Sequence, residues 1–93
     1  MEEKEFYKIL GYIKVSPTRQ KTLLDIGDDI RMPSEIARST KAKTSQVSGA
    51  LTDMKKHGLV VCINEEARKG RLYKTTDTGK EVIKFLKKNR RDE

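Results

Sequence analysis

Apolar residues recur at helical spacing in several stretches of the chain, and each stretch predicts an element. Phe6, Ile9, Leu10 and Ile13 form one stripe of a helix expected over residues 1–15, with Lys4, Lys8 and Lys14 off that stripe. Glu2, Glu3 and Glu5 suit the positive end of its dipole. Gly11 lies inside it, where glycine costs about 1 kcal/mol relative to alanine, and a close helix crossing is the expected reason. Tyr7 and Tyr12 fall at the stripe's edges, as core or dimer contacts do. A second helix is expected over 16–28: Ser16 as N-cap, Pro17 at the first helical position, Leu23, Leu24 and Ile26 as the buried side, and Gly27 at the stop. Asp28 to Met32 then reads as a short extended link able to pair with a later strand.

The pattern over 33–57 is the centre of the chain. Pro33 starts a short helix with Ile36 and Ala37 as its apolar contact, and Lys41-Ala42-Lys43 interrupts the periodicity with room for a turn of about three or four residues. Val47, Ala50, Leu51 and Met54 then fall at i, i+3, i+4 and i+7, which predicts a second helix with a buried stripe. Its other face carries Thr44, Ser45, Gln46, Ser48, Gly49, Thr52 and Lys55, side chains with hydrogen-bonding reach and little bulk. Lys55-Lys56-His57-Gly58 ends the helix with positive charge against the dipole and a glycine able to take positive φ.

Residues 59–75 read as a hairpin. Leu59 to Ile63 form its first strand, Asn64 to Gly70 the tip and Arg71 to Thr75 the return. Alternation puts Leu72 inward and Arg71 and Tyr73 on the other face. Thr76 caps a last helix over 76–89 that carries Val82, Ile83, Phe85 and Leu86, more apolar residues than one narrow stripe holds, before the basic run Lys87-Lys88-Asn89-Arg90-Arg91. The expected class is α+β, mostly α, with a helical core, a two- or three-stranded β wing and an additional C-terminal helix, all in a single domain over 1–93.

Composition narrows the partner. Ninety-three residues with 34% hydrophobic content make one thin core, so a dimer contact is a plausible extra source of stability. Lys and Arg number 21 against 14 Asp and Glu, a net +7, which favours a polyanion, with nucleic acid first and a membrane surface second. No run of about twenty apolar residues offers a span, and Met1-Glu2-Glu3-Lys4-Glu5 is too acidic for a signal peptide, so a cytoplasmic location without membrane insertion is expected. The single Cys62, inside Leu59-Val60-Val61-Cys62-Ile63, reads as a small strand residue. With one His and one Cys there is no metal-ligand cluster, and no cofactor is expected. His57 has no evident nucleophile beside it, the carboxylates are scattered among lysines, and Gly70 and Gly79 read as isolated turn or cap glycines rather than a phosphate loop, so an enzyme is not expected.

Pro33-Ser34-Glu35-Ile36-Ala37, Val47-Ser48-Gly49-Ala50-Leu51 and Lys56-His57-Gly58-Leu59-Val60, followed by Tyr73-Lys74-Thr75-Thr76-Asp77-Thr78-Gly79-Lys80-Glu81-Val82, resemble winged helix-turn-helix regulators of the MarR and ArsR type. The resemblance covers roughly residues 17 to 89. It implies sequence-dependent binding of double-stranded DNA by a transcriptional regulator, with Thr44, Ser45, Gln46, Ser48 and Thr52 in the major groove. Gln46 is the expected base reader, because its amide can bond adenine bidentately. Lys41, Lys43 and Lys55 would flank the groove, and Arg68, Lys69 and Arg71 would hold the adjacent backbone or enter the minor groove. Gly49 departs from the pattern, since related regulators commonly place a long side chain there. The resemblance also implies a homodimer through the first and last helices. The alternative is a winged helix used for protein contacts within a transcription or other nucleic-acid machine. Arg38, Lys41, Lys43, Lys55 and Lys56 against the lone Asp53 over residues 38–57 favour DNA.

Overall fold

The computed structural model describes residues 2–89, so Arg90 and Arg91 of the expected basic tail lie outside the described residues. Helices α1 (Glu3–Lys14), α2 (Pro17–Ile26), α3 (Pro33–Thr40) and α4 (Thr44–Lys56) precede strands β1 (Val60–Cys62) and β2 (Tyr73–Thr75) and helix α5 (Asp77–Asn89). Local chemistry sets most boundaries. Ser16 Oγ accepts from the Arg19 N–H at 3.3 Å, and Gly27, at φ 53°, closes α2. Glu35 Oε1 reaches back to accept from the Met32 N–H at 2.8 Å at the start of α3, and Lys41 ends that helix in the left-handed region at φ 59°. Thr76 Oγ1 accepts from the Gly79 N–H at 3.1 Å, capping α5 as the sequence predicts.

The core lies where α2, α3 and α4 pack together, closed by α1, the strands and α5. Leu23, Ile26, Ile36, Val47, Leu51, Met54, Leu59, Val60 and Val82 are fully buried there. The whole predicted stripe of α4 is inward. On α5, Val82, Ile83 and Leu86 are also covered within the chain and Phe85 is half-buried, so the surplus apolar face expected of a monomer shrinks to one ring. Gly11 is exposed and a Cβ there would meet nothing within 4 Å, which corrects the expectation of a close crossing at that residue. The close approach is instead at Gly79, which is buried. A Cβ at that position would collide with the Leu59 carbonyl oxygen and the Thr75 methyl, so only glycine lets the start of α5 lie on the root of the wing.

The two strands are antiparallel, pairing Val60 with Thr75, Val61 with Lys74 and Cys62 with Tyr73, and Ile63 N–H extends the ladder by donating to Leu72 O at 2.9 Å. The 28–32 link joins this sheet as a single bridge: Arg31 N–H donates to Tyr73 O at 3.0 Å and Tyr73 N–H to Arg31 O at 2.9 Å. That bridge puts β2 between two neighbours. Tyr73 and Thr75 point inward and Lys74 outward, while Leu72 is only half-buried, so the expected facing of Leu72 and Tyr73 is corrected. The physical reason is register: Tyr73 stands opposite Cys62 and Arg31 on the covered side, and a side chain's face alternates from that fixed point.

Candidate nucleic-acid interface

Burial of Val47, Ala50, Leu51 and Met54 turns Thr44, Ser45, Gln46, Gly49, Thr52, Lys55 and Lys56 of α4 to solvent, with Ser48 half-exposed. Thr44, Ser48 and Thr52, four residues apart, form a row on the flank facing the wing. Thr52 Oγ1 donates to Ser48 O at 3.0 Å, which leaves the hydroxyl oxygen's remaining acceptor capacity outward. This row lines a cleft of about 440 Å³ together with Met32, Pro33 and Ser34 at the start of α3, Tyr73, and Arg68, Lys69, Gly70 and Arg71 of the wing. A polar, low-relief helix face and a cationic loop thus border the same opening.

The wing is built from side chain to backbone bonds. Asn64 spans the hairpin, its Oδ1 accepting from the Leu72 N–H at 2.7 Å and its Nδ2 donating to Gly70 O at 3.1 Å. Gly70 sits at φ 68°, the left-handed turn that brings the chain back. Arg71 donates from Nε to Ala67 O at 2.8 Å and from Nη2 to Glu65 O at 3.0 Å, so its guanidinium folds the tip. Lys55 of α4 forms an ion pair with Glu65 of the wing. The other ion pairs among the described residues are Arg19 with Asp53 and Arg31 with Asp29, so no described carboxylate engages Lys41, Lys43, Arg68 or Lys69.

The sequence-predicted residues therefore divide. Thr44, Ser48, Thr52, Arg68, Lys69 and Arg71 are brought together on the cleft. Ser45 is exposed on α4 outside it. Gln46 faces the other flank: it lines a separate hollow of about 190 Å³ with Pro17, Thr18 and Lys21 of α2, Thr40 at the end of α3, and Lys41 and Ala42 of the turn. Its Oε1 also accepts from the Lys43 N–H at 3.4 Å, capping its own helix. Lys43 is exposed at that N-cap. Sequence reasoning overlooked Lys21, Asn64 and Tyr73. An Asn opening a hairpin tip is the one signal that was available, since Asn bonds backbone groups in turns.

The C-terminal end of α4 is clamped by a stack. The Arg19 guanidinium lies 4.0 Å from the Tyr12 ring centroid, and the His57 ring stacks on Tyr12 at 4.0 Å and 21°. Arg19 Nη1 donates to Tyr12 O at 2.9 Å and its Nη2 lies 3.7 Å from Asp53. Burial pushes the Tyr12 phenol above its ordinary value, with Arg19 partly opposing and Asp53 reinforcing the shift. His57 Nδ1 lies 2.9 Å from Asp53 O, so the only histidine is a helix-end residue engaged with backbone and ring. Among the described residues no group of three or more His, Cys, Asp or Glu is placed to hold a metal ion, and no helix is long and apolar enough to cross a membrane.

No protein-family profile matches the chain, and no curated protein matches it in sequence. Solved structures do match its shape. A variant of Lactococcus lactis ZitR superposes with a TM-score of 0.72 at 18% identity, over 83% of this chain and 53% of that one, so the chain spans little more than half of ZitR. TubR bound to 24 bp of tubC, from Bacillus thuringiensis serovar israelensis pBtoxis, gives 0.77 at 12% identity over 90% of this chain and 94% of that one. A MarR family regulator from Neisseria meningitidis gives 0.74 at 22% identity over 91% and 61% respectively. That regulator and a second MarR family transcriptional regulator, from Silicibacter pomeroyi, are among the matched structures, and this chain has the winged helix-turn-helix fold: a mostly helical core, a two-stranded antiparallel wing and a C-terminal helix.

Proposed function

We propose that this chain binds double-stranded DNA in a sequence-dependent way as a transcriptional regulator, with α4 in the major groove and the wing on the adjacent backbone or minor groove. The observation that carries this reading is the shared cleft, bordered by Thr44, Ser48 and Thr52 on one side and Arg68 and Lys69 on the other. Hydroxyl groups on a slim helix can approach base edges, and cations whose charge no described carboxylate engages can hold phosphates. Gly49 keeps the exposed face of α4 low, since the space above it is empty to 4 Å, and so lets the helix backbone come close to the groove. Ser45 reads from the same face. Gln46, with Lys21 and Lys41 around its hollow, contacts the duplex on the α2 flank. The structural neighbour TubR was solved on DNA, which agrees with this use of the fold.

A homodimer completes the reading. The outer side of α1 carries exposed Glu3, Tyr7 and Lys14, and that of α5 carries exposed Glu81 and Lys88 with the half-buried Phe85 between them, each acidic at its start, aromatic in the middle and basic at its end. Two copies crossing antiparallel about a two-fold axis would set each carboxylate against a partner ammonium and the rings against one another. Selection of bound sequences from a random duplex pool tests both statements. A recurrent motif with two-fold half-sites is expected, retained less as salt rises. A pool that shows no enrichment and no salt-dependent retention contradicts DNA binding, and a monomer in sedimentation at high micromolar concentration contradicts the dimer.

A further inference from the structure

The cations of α4 and the wing are not equivalent. Lys55 stands on the outward face of α4, yet its ammonium is already held by the Glu65 carboxylate of the wing. That carboxylate springs from a fixed root. Arg71 Nη2 donates to the Glu65 carbonyl at 3.0 Å, and the preceding residue, Asn64, is bonded to Leu72 N at 2.7 Å and Gly70 O at 3.1 Å. The neighbouring Glu66 is exposed and forms no ion pair among the described residues. The pair itself stays open to solvent, with side chains 38% and 56% exposed, so an incoming anion can reach the ammonium without entering the protein.

We infer that Glu65 is a built-in stand-in for a DNA phosphate at Lys55, and thereby a specificity-determining residue of the interface. The inference rests on the DNA-binding reading above. On a duplex that fits poorly, the carboxylate occupies Lys55 and repels the nearest phosphate, so one cation is withheld from non-specific attraction. On a fitting groove, α4 and the wing seat together and bring a phosphate to the same ammonium, and one anion replaces another. An exposed pair is weak enough for this exchange to be nearly neutral. The net effect lowers affinity for ill-fitting DNA more than for the preferred site.

The test compares the full chain with Glu65→Gln, Glu66→Gln, Lys55→Gln and the Glu65→Gln/Lys55→Gln double variant by fluorescence anisotropy. The probes are the best duplex from the selection and an unrelated duplex of equal length. Glu65→Gln should tighten binding to the unrelated duplex about two- to fivefold at low salt. Its log K against log salt should steepen by about 0.9, one additional phosphate contact. The selected duplex should change less, and Glu66→Gln, which removes the same charge without a pair, should fall short of Glu65→Gln on both duplexes. In the Lys55→Gln background, Glu65→Gln should gain no more than Glu66→Gln does in the parent. Equal gains from Glu65→Gln and Glu66→Gln in the parent, or a Glu65→Gln gain that stays at full size in the Lys55→Gln background, would reduce the effect to net charge and overturn this inference alone. Failure of every variant to bind either duplex at low salt would overturn the DNA-binding reading and this inference with it.

Discussion

Helix α4 and the wing face each other across one cleft, but α4 is held by buried hydrocarbon and the wing tip by polar bonds at the surface. Val47, Leu51 and Met54 are fully buried, and each such side chain contributes on the order of 1.5 to 3 kcal/mol by burial. Asn64 and Arg71 hold the wing through four side chain to backbone hydrogen bonds, each worth roughly 0.5 to 1.5 kcal/mol net. The helix therefore owes its place to buried side chains. The wing tip, which presents Arg68 and Lys69, is tied to α4 by one ion pair among the described residues, the solvent-open Lys55–Glu65.

This contrast can be broken from either side. Leu51→Ala should be the most damaging change, lowering unfolding free energy by about 2 to 5 kcal/mol in urea denaturation because it opens a cavity behind α4. Gly79→Ala should follow, at about 1 to 3 kcal/mol, because the added methyl strikes the Leu59 carbonyl and pushes α5 off the root of the wing. Gly11→Ala is its internal control. With open space above it and a helix on both sides, it should stabilise by up to about 1 kcal/mol, and a loss there would mean that α1 is covered by a partner at that point. Asn64→Ala removes two backbone bonds and should cost the wing about 1 to 3 kcal/mol of local stability, speeding amide exchange at Leu72 and its neighbours far more than at Leu51 and Met54. Equal acceleration in α4 would show that the two walls are not independently held.

The smallest effect concerns the clamp behind α4. The Tyr12 phenol is raised in the folded state, so the unfolded chain ionises first, near pH 10.0, and stability should fall as pH climbs from there through the folded value. Tyr12→Phe should remove Tyr12's part of that alkaline decline. Because the Tyr12 hydroxyl is buried without a partner, the variant should also match or slightly exceed the parent near neutral pH, by less than about 1 kcal/mol. Thermal unfolding between pH 7 and pH 11 reads both.

The difference in how the two walls are held also explains which parts were legible in the sequence. The α4 stripe could be read because four apolar residues repeat at the helical period and a core always claims such a face. The caps at Ser16 and Thr76 could be read because capping is local. Tyr73 could not, since a three-residue strand carries too little alternation, and its face is decided by a bridge to Arg31, forty-two residues earlier. Gly79 looked like a cap glycine because the carbonyl it must clear belongs to Leu59. Arg71 and Lys55 read as free cations in the sequence, where nothing distinguishes a guanidinium that folds a loop from one that meets solvent. Gln46 shares the polar face of α4 in a linear reading, but its position on the helix turns it toward α2.

Amide chemical-shift mapping on adding the selected duplex at low salt shows whether the outward face of α4 and the wing tip form one DNA-contacting surface. Shifts concentrated at residues 44–55 and 68–71 are expected, with a smaller set around Lys21 and Lys41 and little change along α5. Silence at both 44–55 and 68–71 while other residues respond would contradict that shared surface.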